Sequence, residues 1–292
     1  MTLKSCLKSM RLRTLPLSLS GVVTGLALAS SETAPDAATV LTLLLTAVFL
    51  QILSNLSNEL GDTLHGTDRA DRQGIHYALQ DGEMTIPQMR RYIAVMAVLC
   101  CGSGLLMIFF SFGKIFALQP LLFVALGAAA VWAAMHYTLG RNPYGYRGLG
   151  DVYVFLFFGL AAVLGSACIC CHAFRPLWLL PACGIGCFSM GVLNVNNIRD
   201  AGSDAETRVT LALKLGMRRA RIYQTLLIVC GWLFFLTFTL LTRTSGWYVL
   251  TLPFFVLHLA GVWRREDRRL DPMLPLLVLS TFAAALLFAF AA

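Results

Sequence analysis

Charged residues are scarce in this sequence. Only 13% of the 292 residues are Asp, Glu, Lys or Arg, whereas 58% are hydrophobic and the mean hydropathy is +0.72. Soluble domains carry about 25% charged residues, so this composition excludes a water-soluble enzyme and indicates a protein of the lipid bilayer. Low-complexity segments and long linkers are also lacking. We therefore expect one membrane domain that covers residues 1–292.

Two further absences narrow the chemistry. No segment has the Gly-Lys-Ser/Thr ending of a phosphate-binding loop. The nine cysteines do not follow the spacing of a zinc site, although several cluster where two apolar runs end. We expect packed thiols there, with a disulfide between the two helix ends as the alternative. The cluster comprises Cys168, Cys170, Cys171, His172, Cys183 and Cys187.

Long apolar runs recur along the whole chain. A helix needs about 20 apolar residues to cross ~30 Å of hydrocarbon, so the expected fold is an all-α bundle of about nine transmembrane helices. The first run is the weakest, because Arg11 and Arg13 lead into it and Pro16 lies inside it. A signal peptide cleaved near Ala29 is less favoured, since eight further runs follow. The runs lie at about 14–20, 38–58, 92–112, 117–137, 152–171, 177–197, 222–241, 246–263 and 271–291.

The distribution of Lys and Arg indicates the orientation. All but three of the 23 Lys and Arg residues fall at the N-terminus or in the loops 59–91, 138–151, 198–221 and 264–270. Basic residues accumulate in cytoplasmic loops, so we expect the N-terminus in the cytoplasm. Basic loops that face anionic lipid account for the net charge of +8, so no nucleic-acid partner is needed to explain it.

Two polar clusters end the second and the sixth run on the expected cytoplasmic side. Each places its Asn and acidic side chains on one face of a helix, and polar groups at membrane depth indicate a site. Their correspondence, four spans apart, looks like a degenerate internal repeat. The first cluster contains Asn55, Asn58, Glu59 and Asp62, followed by Asp68, Arg69 and Arg72; the second contains Asn194, Asn197, Arg199, Asp200 and Asp204.

Carboxylates gathered in this way repel one another unless a cation is bound. Oxygen ligands without a nearby Cys or His pair favour a hard divalent ion, and magnesium is usually held by a few carboxylates together with substrate phosphates. We therefore expect Mg2+ and a diphosphate, with basic side chains balancing the remaining charge. The alternative is that the Asn and Asp side chains only cap helix ends. The expected metal ligands are Asn58, Glu59, Asp62, Asp200 and Asp204, and the charge-balancing residues come from Arg69, Arg72, Arg199, Arg208 and Lys214.

A third polar insertion follows the fourth run on the same side. Its glycines and its proline predict a shaped loop, and its tyrosines can line an aromatic or cationic substrate. Tyrosines that only anchor at the headgroup level are the alternative, and Asp151 is then a helix cap. The residues of interest are Tyr137, Arg141, Tyr144, Tyr146 and Asp151.

At these residues the sequence resembles the UbiA superfamily of intramembrane prenyltransferases. Asn58 and Asp62 match its Asn-x-x-x-Asp motif after span two, and Asp200 and Asp204 match its Asp-x-x-x-Asp motif after span six. The strings at 10–16, 51–59, 143–159 and 193–200 look most like the 1,4-dihydroxy-2-naphthoate polyprenyltransferases of menaquinone synthesis.

The resemblance implies a magnesium-dependent enzyme of a bacterial inner membrane. It would transfer a polyprenyl chain from polyprenyl diphosphate to 1,4-dihydroxy-2-naphthoate, with loss of carbon dioxide and diphosphate. Tyr137 and either Tyr144 or Tyr146 would shield the allylic cation, and Arg141 is a candidate to hold the acceptor carboxylate. The expected catalytic residues are Asn58, Asp62, Tyr137, Arg141, Asp200 and Asp204, and the expected substrate-binding residues are Asn55, Asp68, Arg69, Arg72, Tyr144, Tyr146, Asp151, Asn194, Asn197, Arg199 and Lys214.

Three positions depart from the superfamily pattern. Glu59 stands where Asp is commoner, Tyr77 stands where Arg is usual, and the segment 208–210 is one residue shorter than a Gly-Lys-x-Thr segment. The alternatives are a related prenyltransferase that acts on 4-hydroxybenzoate, homogentisate or haem, and an ion-coupled transporter. A phosphatidyltransferase is disfavoured, because Asp81-Gly82-Glu83 does not continue as its motif requires.

Overall fold

The computed structural model describes residues 2–66, 77–204 and 208–290, and it is helical throughout these ranges apart from loops and one isolated bridge. Within them, nine helical segments are long and apolar enough to cross a membrane, which confirms the expected all-α, multi-pass bundle. The segments are Leu3–Ser30, Ala37–Leu64, Ile86–Phe112, Leu118–His136, Gly150–Cys171, Pro176–Arg199, Met217–Thr242, Trp247–Arg264 and Asp267–Ala289.

The helices that form these segments are named here in chain order. They are α1 (Leu3–Met10), α2 (Leu15–Ser30), α3 (Ala37–Leu64), α4 (Ile86–Phe112), α5 (Leu118–His136), α6 (Gly150–Val154), α7 (Ala162–Cys171), α8 (Leu179–Arg199), α9 (Ala201–Asp204), α10 (Leu211–Leu215), α11 (Met217–Thr242), α12 (Leu252–Arg264) and α13 (Met273–Ala289). A π-helical segment, Phe155–Ala161, joins α6 to α7 within one span.

The first span is broken near its start. Helix α1 ends at Arg11, whose positive φ of 51° takes the chain out of the helical conformation, and one short 3-10 turn follows before α2. Pro16 lies in the first turn of α2, where its missing N–H costs no helical hydrogen bond. The break places Arg11 and Arg13 between α1 and α2, at the end of the bundle where the N-terminus lies.

The main apolar core lies between α2, α7, α8, α11, α12 and α13. Stacked and edge-on aromatic rings fill it, among them Phe188, Trp232 and Phe235. Close backbone approach between span five and α8 requires glycine: a Cβ on Gly159 would lie 2.7 Å from the Cα of Gly186. Helix α5 is the least covered span, with 11% of its apolar window buried, so most of its surface faces lipid.

The cysteines are free thiols. The expectation of packed thiols is therefore confirmed, and the alternative of a disulfide near residues 168–187 is wrong. At the same end of the bundle, Arg175 forms a bidentate ion pair with Glu32, at 2.8 and 2.9 Å. This guanidinium lowers the pKa of the Glu32 carboxyl.

Candidate active site

An apolar cavity of about 340 Å³ runs between α2, α3, α5 and span five. Its wall on α3 extends from Leu43 to Asn58, which corresponds to roughly 22 Å of helix at 1.5 Å per residue. We call it the main cavity. A side cavity of about 210 Å³ lies between α2, α8 and α13, and the two share wall residues such as Gln51 and Leu193.

The first polar cluster lies at one end of the main cavity, where α3 reaches Asn58. Asn58 lines the cavity, and its Oδ1 accepts a hydrogen bond from Thr138 Oγ1 at 3.3 Å. The same hydroxyl donates to the carbonyl of Ser57 at 3.0 Å, so α3 is bonded to the start of the third insertion. Gly61 permits this approach, because a Cβ there would lie 2.6 Å from the Cβ of Thr138. Sequence analysis did not identify Thr138, since a single hydroxyl at a helix end carries no pattern.

Asp62 joins two further segments to the first cluster. Tyr146 Oη donates to Asp62 Oδ1 at 2.8 Å, and Arg208 Nη1 lies 4.0 Å from the same oxygen. The backbone N–H of Val209 donates to the carbonyl of Tyr146 at 3.0 Å. Residues from all three polar insertions therefore meet at one carboxylate, which is 3% exposed.

Three tyrosines line the main cavity next to Asn58. Tyr144 stacks on Tyr153, with ring centroids 3.8 Å apart, and meets Tyr137 edge-on at 5.4 Å. The Tyr144 hydroxyl donates to the carbonyl of Ala133 at 2.7 Å. Burial raises the pKa of Tyr144, so its phenol stays protonated. These rings form an aromatic wall with electron-rich faces.

The second cluster is arranged differently. Asp200 is fully buried, and both of its oxygens accept from Arg199, at 2.7 Å each. Arg199 also donates to Asn196 and Asp271, at 2.8 and 3.0 Å. Two parallel hydrogen bonds of this kind are strong and directional, so in this structure Arg199 neutralises a protein carboxylate.

Of the expected metal ligands whose side chains are described, Asn58 lines the main cavity, and neither cavity is lined by Glu59, Asp62 or Asp200. Glu59 is fully buried on the flank of α3 that faces the loop after residue 76, where its Oε1 accepts the N–H of Leu79 at 2.9 Å. Asn194 donates to the Ala220 carbonyl and to Gln224, at 3.0 and 2.9 Å. Both side chains therefore bind neighbouring parts of the protein.

The other expected residues are distributed as follows. Asn55 lines the main cavity but donates to the Met10 carbonyl and to Thr14, at 2.8 and 2.9 Å. Arg141 and Lys214 are exposed, and Asn197 is buried. Asp151 is buried in the first turn of α6 and accepts from Tyr223 Oη at 3.1 Å. Asp68, Arg69 and Arg72 lie outside the described residues, as does the side chain of Asp204.

The donor set at the cavity mouth suits a hard cation in its chemistry. Asn58 and Asp62 lie one turn apart on α3 and offer amide and carboxylate oxygens, which Mg2+ prefers. The Asp200 carboxylate, whose two oxygens accept from Arg199, is the described candidate ligand from the second cluster. The described side chains contain no group of three or more His, Cys, Asp or Glu that would hold a metal without a further ligand.

Comparison with known proteins adds to this geometry. The sequence model of the UbiA prenyltransferase family matches residues 18–273. The chain belongs to the UbiA prenyltransferase family. The resemblance seen in the sequence is therefore confirmed, and family membership favours a membrane-embedded prenyltransferase over a transporter or a phosphatidyltransferase.

Relatives within the UbiA family cover nearly the whole chain. A 1,4-dihydroxy-2-naphthoate octaprenyltransferase of Escherichia coli (strain K12) is 37% identical, over 97% of this chain and 92% of the relative. One from Haemophilus influenzae is 33% identical, over 98% and 94%. A UbiA homolog from Archaeoglobus fulgidus, solved with DMAPP and Mg2+, shares the fold with a TM-score of 0.71 and 16% identity, over 98% of this chain and 97% of that one.

Proposed function

We propose that this protein transfers a polyprenyl chain from polyprenyl diphosphate to 1,4-dihydroxy-2-naphthoate. Diphosphate and carbon dioxide are released, and the product is demethylmenaquinol, the reduced form of demethylmenaquinone. Residues 1–292 act as one domain of a bacterial inner membrane, with the N-terminus in the cytoplasm. The 33–38% identity to relatives named as octaprenyltransferases of this naphthoate supports the acceptor.

The observation that carries the proposal is the meeting of three polar segments at Asp62. Tyr146 and Arg208 both reach its carboxylate, and Asn58 lies one helical turn away in the wall of an apolar cavity. A prenyl diphosphate has the matching form, because its anionic head needs polar groups and a cation while its tail needs an apolar channel. The polar groups lie at the mouth of the cavity, and the wall along α3 forms the apolar channel.

Asn58, Asp62, Asp200 and Asp204 would hold Mg2+ at this mouth. When bound, the metal neutralises the charge that develops on the departing diphosphate. Arg208 lies beside Asp62 and adds a positive charge for the same phosphate oxygens. The remaining predicted contacts of the substrates are Asp68, Arg69, Arg72, Arg141, Asn197 and Lys214.

The cavity wall favours the allylic cation that forms when the C–O bond breaks. The Tyr137, Tyr144 and Tyr153 rings line this cavity, and the π-electrons of aromatic rings stabilise a positive charge nearby. The surrounding apolar side chains exclude water, which would otherwise capture the cation. An electron-rich ring carbon of the naphthoate then forms the new C–C bond, and the carboxylate on that carbon leaves as carbon dioxide.

An assay of the purified protein tests the proposal. The detergent-solubilised protein is incubated with octaprenyl diphosphate and 1,4-dihydroxy-2-naphthoate, with Mg2+ or with a chelator, and the product is identified by mass spectrometry. Magnesium-dependent formation of octaprenyl demethylmenaquinol is the expected result. Prenylation of 4-hydroxybenzoate or homogentisate instead would refute the assigned acceptor, and no product with any aromatic acceptor would refute the proposed activity.

A further inference from the structure

Two arginines of the N-terminal segment converge on one tyrosine. Arg13 Nη2 donates to Tyr77 Oη at 2.9 Å, and the guanidinium carbon of Arg11 lies 3.6 Å from the centre of the Tyr77 ring. Tyr77 is 7% exposed, so both contacts occur at a largely buried ring. The hydroxyl oxygen of Tyr77 therefore accepts a hydrogen bond from Arg13, and the face of its ring attracts the Arg11 guanidinium.

Arg13 also lines the side cavity. Gln51 and Asn196 are polar wall residues near it, and most of the remaining wall is apolar. Among the described residues that line either cavity, Arg13 carries the only charged side chain. An anionic group that enters the cavities therefore has one cationic partner in this part of the wall, and guanidinium groups bind carboxylate and phosphate oxygens well.

The loop that carries Tyr77 is fixed from two sides. Glu59 Oε1 accepts the N–H of Leu79 at 2.9 Å. Lys8 of α1 forms ion pairs with Asp81 and Glu83. A long arginine side chain has many rotamers in solution and loses entropy when it binds a ligand. A hydrogen bond to a fixed tyrosine reduces that loss, because the guanidinium is already oriented.

We propose that Tyr77 is a positioning residue that holds Arg13 at the side cavity, so that the Arg13 guanidinium binds an oxyanion of a substrate. This inference rests on the proposed function, in which both substrates are anionic: one has a carboxylate and the other a diphosphate. The superfamily usually has an arginine at the place that Tyr77 occupies. Here the cation comes from Arg13, and Tyr77 supplies its hydrogen-bond acceptor.

A double-mutant cycle tests whether Tyr77 acts through Arg13. The variants are Tyr77→Phe, Arg13→Gln and the double variant, and kcat and KM are measured for each substrate. Tyr77→Phe keeps the ring over which Arg11 lies but loses the hydroxyl, so KM for one substrate should rise about tenfold, as for one lost hydrogen bond to a charged group. The double variant should be no worse than Arg13→Gln alone. The substrate whose KM rises identifies the oxyanion.

Tyr248→Phe is the matched control. It also loses a buried tyrosine hydroxyl, which bonds Thr239 at 2.9 Å in the aromatic core far from both cavities. Both KM values should be unchanged in this variant. Additive effects of Tyr77→Phe and Arg13→Gln, a fall in kcat without a rise in KM, or unchanged kinetics would each overturn the inference.

Equilibrium binding separates this inference from the proposed reaction. The probes are 1-hydroxy-2-naphthoate, 1-naphthol, which lacks the carboxylate, and inorganic pyrophosphate with Mg2+, each titrated calorimetrically into the wild type and Tyr77→Phe. A wild type that forms no prenylated product would refute the proposed function. An approximately tenfold weaker affinity of Tyr77→Phe for either anionic probe, with 1-naphthol unaffected, would still support the role of Tyr77. Equal affinities of the two proteins for both anionic probes would overturn it.

Discussion

Replacing Asp62 with asparagine removes one negative charge from the mouth of the main cavity and keeps the shape of the side chain. The asparagine carbonyl can still accept from Tyr146 Oη, which lies 2.8 Å from Asp62 Oδ1. The charge attraction to Arg208 Nη1, 4.0 Å away, is lost. At an effective dielectric constant of about 20, that attraction is roughly 4 kcal/mol before the cost of desolvation is subtracted.

The effect on catalysis should exceed the effect on folding. Desolvation offsets much of the charge attraction, so we expect the variant to lose on the order of 1–3 kcal/mol of stability and to remain inserted and folded. The same substitution removes a carboxylate expected to bind magnesium and diphosphate. Loss of one preorganised electrostatic group typically lowers kcat by about 100- to 1,000-fold, and we expect a fall of that size.

The measurement is the rate of prenylated product formation over a range of Mg2+ concentrations. Asp36→Asn is the control, because Asp36 caps the other end of the same helix, roughly 39 Å away at 1.5 Å per residue, and asparagine is an equally good N-cap. Its kcat should match the wild type. If the kcat of Asp62→Asn fell by less than about fivefold, the loss would be far smaller than the loss expected for a preorganised electrostatic group. That result would refute the assignment of Asp62 to the magnesium and diphosphate site.

Three further outcomes are expected. Glu59→Gln should keep the magnesium dependence and most of the kcat of the wild type, because the glutamine amide oxygen can still accept the N–H of Leu79, which now donates to Glu59 Oε1 at 2.9 Å. If the variant needed a much higher Mg2+ concentration for half-maximal activity, Glu59 would be a magnesium ligand. Burial raises the pKa of Tyr144, so the protonated phenol contributes its full stability below about pH 10, and this contribution is lost at higher pH. Tyr144→Phe should abolish this pH dependence of the unfolding temperature and lower the free energy of unfolding by about 1 kcal/mol. Gly159→Ala should lower the unfolding temperature, because its Cβ would lie 2.7 Å from the Cα of Gly186, at a cost on the order of 1–3 kcal/mol; Gly102→Ala, where a Cβ meets open space among the described residues, should not.

The sequence predicts the fold well because lipid imposes a simple rule. Every span must satisfy its own backbone hydrogen bonds and cover ~30 Å of hydrocarbon, so apolar runs are enough to count the spans. Hydropathy does not report how the helical hydrogen bonds are arranged. The break at Arg11 and the π-helical segment Phe155–Ala161 could therefore not be predicted.

The candidate site is predicted in part. The helical repeat groups Asn58, Glu59 and Asp62 on one side of α3, and the structure places Asn58 in the cavity wall and Asp62 one helical turn beyond it. Glu59 lies at the edge of that arc, on the flank covered by the loop that contains Leu79. A helical projection gives the angle between side chains and does not give the neighbour that each one meets. For the same reason the sequence could not predict that Arg208 lies beside Asp62.

Charge balance explains how so few charged residues can support this site. A buried carboxylate near the membrane needs a cation or must take up a proton. Asp62 has Arg208 beside it, and Asp200 has Arg199. Asp62 and Asp200 are therefore each accompanied by an arginine of their own chain. In the proposed reaction, Asp62 and Asp200 would hold Mg2+ in place of these guanidinium partners, and Arg208 and Arg199 would then bind the oxygens of the diphosphate.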